Sequence, residues 1–203
     1  MKVTFSRFCT LVFVVAAILF LISLFLINAY GALQTEYKIA KFWDPNAGTL
    51  DEFDERLGYC FHSNYYGCGV QAVQIGLDYL NVKPLPTQRQ LADELGAKDT
   101  WVHHDNLHKP FKSCGFKVIQ QGGIGNNFNT ALKRLKGYIA QDFLVIVCAY
   151  LNDEKKMGSY YVVTGYDENG VWVHGNKPNM YYPNSKFSEL WRYQKYWVLV
   201  VKP

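Results

Sequence analysis

The sequence predicts an α+β fold in which helices come first and an antiparallel sheet follows. Three observations carry that prediction. Apolar residues at helical spacing concentrate between Cys68 and Leu135, and β-branched and aromatic runs concentrate between residues 143 and 202. Two of those runs flank Asp167-Glu168-Asn169-Gly170, a hairpin turn signal. Such segregation belongs to α+β architecture and not to a doubly wound alternation. The 203 residues are 49% apolar and 19% charged, which excludes a disordered tail and a charged coiled coil. A formal charge of +4 is too weak to argue for a nucleic-acid partner. No repeat and no linker-like run breaks the chain.

Residues 8–27 contain only Thr10 and Ser23 as polar positions. At about 1.5 Å rise per residue, the run spans the roughly 30 Å hydrocarbon core of a bilayer. It predicts a signal-anchor helix within residues 1–33, with a cleaved signal peptide as the alternative because Ala29-Tyr30-Gly31 has small-x-small character. Lys2 and Arg7 place the N-terminus in the cytoplasm. The remainder is expected outside the membrane, periplasmic or at the cell surface. Residues 34–56, polar and aromatic with Asp-Pro and Gly-Thr turns, read as a stalk or wrap, and residues 57–203 as the folded domain.

That location permits disulfides among Cys60, Cys68, Cys114 and Cys148, whose three complete pairings the sequence leaves open. Zinc does not fit. There is no Cys-x-x-Cys, Cys60-x-His62 is a poor half-site, and His104 and His108, four apart beside His103, have no carboxylate ligand in motif spacing. No metal and no cofactor are expected.

Along the domain, residues 68–81 place Val70, Val73, Leu77 and Leu80 on one helical face, ended by Pro84 and Pro86. Thr87 to Gln90 form a capping-box pattern for a short helix that stops at Gly96. Asp105 is a candidate N-cap for a helix carrying Leu107 and Phe111, strained by Pro110. Residues 115–120 read as a strand and Asn127 to Leu135 as a helix. Residues 143–150 form a continuous apolar run, the pattern of a buried strand. The hairpin 159–166/171–174 follows, then a short helix at 184–191 with Phe187, Leu190 and Trp191 inward. A strand at 195–202 completes the fold.

Tyr66-Gly67-Cys68-Gly69 opens the longest helix. The positive end of the helix dipole favours thiolate at Cys68, and the glycines Gly67 and Gly69 let a carbonyl approach the sulfur. A buried or disulfide-bonded cysteine is the competing reading.

The ordered set from about Cys60 to Lys202 resembles the papain-like, bacteriocin-processing (double-glycine-type) cysteine peptidases, cysteine-peptidase family thirty-nine, in their stand-alone branch. It comprises Cys68-Gly69 before an amphipathic helix, LADELGA at 91–97, and Asp105-Asn106-Leu107. A buried strand, GSYYVVTGYDENGVWVHGNKP at 158–178 and SKFSELW at 185–191 complete it. The resemblance implies a papain-like fold, N-terminal helices packed on a C-terminal sheet, preceded here by one transmembrane helix. It also implies Cys68 as nucleophile, a sheet histidine as base, an acidic or amide orienter and an oxyanion-hole glutamine. Three of those positions depart from the pattern. His62 stands where relatives have the glutamine, and Asn176 alone could orient a base. Ser159 replaces the base, and a serine cannot accept a thiol proton near neutral pH.

In an ideal ladder with Tyr166 facing Val171, His174 and Asn176 share a face with Ser159, Tyr161 and Val163. His174 then lies about two residues beyond the usual base position. His62 could approach the sulfur from the preceding loop. Tyr66 and Tyr161, with Gly67, Gly69 and Ser159, are expected to line the substrate cleft. The expected function is a membrane-anchored, degenerate peptidase-family domain that binds a peptide or exported protein in that cleft. The alternatives are an active cysteine peptidase using His174 or His62 as base, and a disulfide-bonded structural accessory subunit.

Overall fold

The computed structural model describes residues 36–38, 67–97, 102–150, 158–175 and 180–203. The chain divides into two units, residues 1–36 and 37–203, and apart from Glu36 every described residue belongs to the second. The expected anchor at 8–27 and most of the 34–56 segment lie outside the described residues. Among the described residues no helix is long and apolar enough to cross a membrane.

Helix α1 (Gly67–Tyr79) buries nearly every side chain along its length, Val70, Val73, Ile75 and Leu77 completely. It is therefore a central helix, not one with a single apolar stripe. Helix α2 (Gln88–Leu95) starts at the expected capping box. The Thr87 hydroxyl accepts from the Gln90 amide, and the Gln90 side chain accepts from the Thr87 amide at 2.8 Å. It stops at Gly96, whose φ of 68° is the left-handed geometry glycine adopts without strain.

The third helical segment differs from expectation. Residues His104–Asn106 form a single 3₁₀ turn capped by the His103 ring, and α3 is confined to Lys109–Ser113. Pro110 explains the break. It lacks an amide proton, so it is tolerated in the first helical turn and not in the interior that a start at Asp105 would require. Strand β2 (Lys117–Gly123) follows, then α4 (Phe128–Ile139), capped by Asn127.

The remaining elements are β3 (Leu144–Ala149), β4 (Ser159–Asp167), β5 (Gly170–His174), β6 (Met180–Pro183), α5 (Asn184–Arg192) and β7 (Trp197–Lys202). Strand β6 is absent from the sequence expectation. The sheet runs β2-β7-β3-β4-β5-β6, every neighbouring pair antiparallel, and a short β1 (Glu36–Lys38) pairs with β4 off that path. Alternation divides the core into two layers. One face presents Leu144, Ile146, Cys148, Tyr160, Val162, Leu199 and Val201 to α1, α2 and α3. The other presents Val145, Val147, Tyr161, Val163, Val171, Val173 and Val200 to α4 and α5.

One register shift matters for function. Tyr166 faces Val171 as expected, but a bulge between Val163 and Gly165 pairs His174 with Val162 instead of Val163. A one-residue slip changes faces. His174 therefore lies on the Tyr160 face, the side of the sheet that α1 covers, and not with Tyr161 and Val163.

Because α1 is the hub of its layer, Leu77→Ala should cost about 2–5 kcal/mol of stability, whereas loss of the exposed cap in Thr87→Ala should cost about 1 kcal/mol. Urea unfolding midpoints of the two variants check the ranking.

Candidate active site

Cys68 is the second residue of α1, and close packing holds that end of the helix against its neighbours. A Cβ on Gly69 would sit 2.7–3.0 Å from the Val102 side-chain carbons, so only glycine fits there. Val102 is itself tied down, since the Tyr160 hydroxyl donates to its carbonyl at 3.2 Å. The His104 ring packs on Trp197 at 4.5 Å and on Tyr160 at 5.5 Å between centroids. The side chain of Gln121 donates to the His104 carbonyl at 2.6 Å. His104 is therefore a packed aromatic rather than the solvated loop histidine its sequence context suggests, and desolvation lowers its pKa. Among the described residues no group of three histidine, cysteine or acidic side chains could hold a metal ion.

The groups that act on the Cys68 thiol come from the start of β4 and from the first turn of α1. The Ser159 hydroxyl and the Tyr160 backbone hydrogen-bond to it, together with the backbone at Gly69 and Cys68. All of these favour thiolate, as the helix N-terminus does. Desolvation outweighs them and pushes the Cys68 pKa above its ordinary value. Although the residue as a whole is only half-buried, packing around the sulfur is what the titration responds to. The expectation of a dipole-activated thiolate is thus corrected. The dipole is present, and the lost hydration is larger.

Ser159, the residue expected at the base position from the family resemblance, places its hydroxyl against the sulfur. Its hydroxyl also acts on the Tyr161 phenol. Tyr161 is not a wall of an open cleft. It is 6% exposed, packs in the second core layer, and its ring would collide with a Cβ on Gly175. Gly67 and Gly69 are buried in the first turn of α1, where Gly69 allows the close approach described above. The other aromatic side chains of the hairpin pack as well, Trp172 against Tyr181 at 4.8 Å.

His174 is 2% exposed, and burial alone lowers its pKa to about 4. It is neutral at physiological pH, and it is not among the described groups that shift Cys68. The bulge brings it to the α1 side of the sheet, opposite Val162. His62, Tyr66 and Asn176 lie outside the described residues.

Cys148, which the sequence offered only as one of four candidate disulfide cysteines, is 1% exposed in β3 and pairs across the ladder with Tyr160. Alternation within 143–150 places it with Leu144 and Ile146. Only the ladder register places it beside the residue that touches Cys68.

The fold agrees with what the chain resembles. The Peptidase_C39 like family matches residues 28–198, most of the sequence. The chain belongs to that family. A Bacillus anthracis crystal structure described as a C39-like peptidase is similar at a TM-score of 0.54 and 14% identity. That likeness, which concerns the fold, covers 68% of this chain and 89% of that one. No curated protein matches the sequence. In this chain Cys68 lies in the first turn of α1, and the Ser159 hydroxyl meets its thiol.

The buried imidazole makes a pH prediction. An unfolded chain protonates His174 near 6.5 and the folded one near 4. Between those values the unfolded state binds more protons, so this contribution to stability is complete above about pH 6.5 and is lost as pH falls toward 4. It amounts to on the order of 3 kcal/mol. NMR titration of the His174 ring should give a midpoint near 4, and a midpoint at or above 6.5 contradicts the assignment.

Proposed function

We propose that this chain is a degenerate C39-like domain that binds a peptide or exported protein in the former substrate cleft and does not cleave it. The observation that carries the reading is that the Ser159 hydroxyl meets the Cys68 thiol. Amide hydrolysis needs a base to take the thiol proton and an acid to return it to the leaving amine, commonly worth about 10²–10⁴ in rate. Ser159 supplies neither near neutral pH. A raised thiol pKa adds to the deficit, because only thiolate is nucleophilic. What remains is a helix N-terminus with backbone donors and a neutral sulfur, suited to holding a carbonyl or carboxylate without attacking it.

The same proposal places the domain outside the membrane on an uncleaved N-terminal anchor, supported by the apolar run at 8–27 and by Lys2 and Arg7. A reporter fused after Pro203 that works only in the cytoplasm would contradict the anchor.

A second reading, an active peptidase with His174 as base, draws support from the bulge that turns this residue toward the α1 face. A pKa of about 4 counts against it, since so weak a base leaves the thiol protonated.

Incubating the full chain with a mixture of peptides and following products by mass spectrometry separates the readings. The proposal expects no cleavage above the Cys68→Ala background, and a gain of Cys68-dependent cleavage in Ser159→His. Wild-type hydrolysis lost in both Cys68→Ala and His174→Ala would establish the second reading instead.

A further inference from the structure

Cys68 is not the only sulfur at the start of β4. Cys148 lies opposite Tyr160 in the β3–β4 ladder, and both side chains belong to the core layer against which Cys68 packs. A Cβ placed on Gly158 would be 2.7 Å from the Cys148 sulfur, so that sulfur sits against the residue immediately before Ser159. The Cys68 sulfur meets Ser159 and the Tyr160 backbone. Two thiols from different elements therefore flank the three-residue stretch 158–160. The third described cysteine, Cys114, is exposed at the end of α3, beside Glu94.

We propose that Cys68 and Cys148 form a redox pair, closing as a disulfide when the domain meets a disulfide oxidant of the glutathione class. Among the described residues neither forms a disulfide. The Cys68 thiolate attacks one sulfur of glutathione disulfide and expels one glutathione thiolate. The Cys148 thiolate then attacks the Cys68 sulfur of that mixed disulfide and expels the second glutathione. Two protein thiols lose two protons and two electrons, and one glutathione disulfide becomes two glutathiones. Cys148 is well placed as the resolving partner, because its burial shields it from the oxidant and leaves the Cys68 sulfur as its target. Closure would tether the first turn of α1 to β3 and remove the free sulfur from the site. The inference holds whether or not the domain hydrolyses peptides.

Electrostatic coupling supports the proximity, since negative charge on Cys68 raises the pKa of Cys148. Both thiols are held above their ordinary values by burial, so closure should accelerate as pH rises through the alkaline range.

The test equilibrates the full chain with glutathione disulfide, blocks free thiols, and maps disulfides by mass spectrometry after proteolysis. The expected result is a Cys68–Cys148 linked peptide, with loss of Cys68 alkylation that dithiothreitol reverses. In Cys148→Ala the linked peptide should disappear and Cys68 should remain as the glutathione adduct. Cys114→Ser should leave the linkage unchanged. Cys68 recovered as a glutathione adduct alone in the wild type, joined to Cys60, or unmodified would overturn the proposal. Mapping the wild-type chain decides the matter even if Cys148→Ala fails to fold.

Discussion

The closeness of α1 to its surroundings is the constraint on which the site depends. Two glycines set it. A Cβ on Gly69 would strike Val102, and one on Gly76 would come within 2.8–3.1 Å of Leu144 and Phe111. With no side chain at either point, the helix lies flush against β3, β4 and the 102–107 segment. Apolar residues from all of them fill the space, which is why Val70, Val73 and Leu77 have no exposure. The same contact fixes the first turn of the helix over the start of β4. Position and environment of the Cys68 sulfur follow from one packing decision.

Electrostatics at the site is then a contest between that packing and the dipole of α1. Several backbone groups and the Ser159 hydroxyl stabilise a thiolate, and burial destabilises it by more. A charged imidazole beside the sulfur would reverse the balance, because opposite charges at close range favour ionisation of both groups. His174 cannot act in this way. Its own burial removes its charge at neutral pH. Cys68 and His174 are thus both neutral at physiological pH, each for the same reason of lost hydration.

Much of the fold was legible in the sequence because its signals are local. The Thr87/Gln90 capping box, the Asn127 cap, the Asp167 turn and the unbroken run at 143–150 each specify an element by short-range chemistry. Ser159 was placed opposite Cys68 by the family resemblance and not by a local signal. Features set by tertiary pairing were not legible. The bulge at Thr164 has no signature in a stretch of β-branched and aromatic residues, yet it moves His174 to the other face of the sheet. Strand β6 is four residues long and ends in proline, too short for alternation to separate it from a loop. The sign of the Cys68 shift depends on burial, which residue spacing does not report.

The central claim is that Cys68 is a neutral thiol held in reserve, not half of a thiolate–imidazolium pair. The pH dependence of Cys68 alkylation in the reduced full chain tests it most directly, with the modified peptide quantified by mass spectrometry. The account predicts a single midpoint above the ordinary thiol value of about 8.5, unchanged in His174→Ala. A midpoint below about 7, or a second inflection that disappears in His174→Ala, would contradict it.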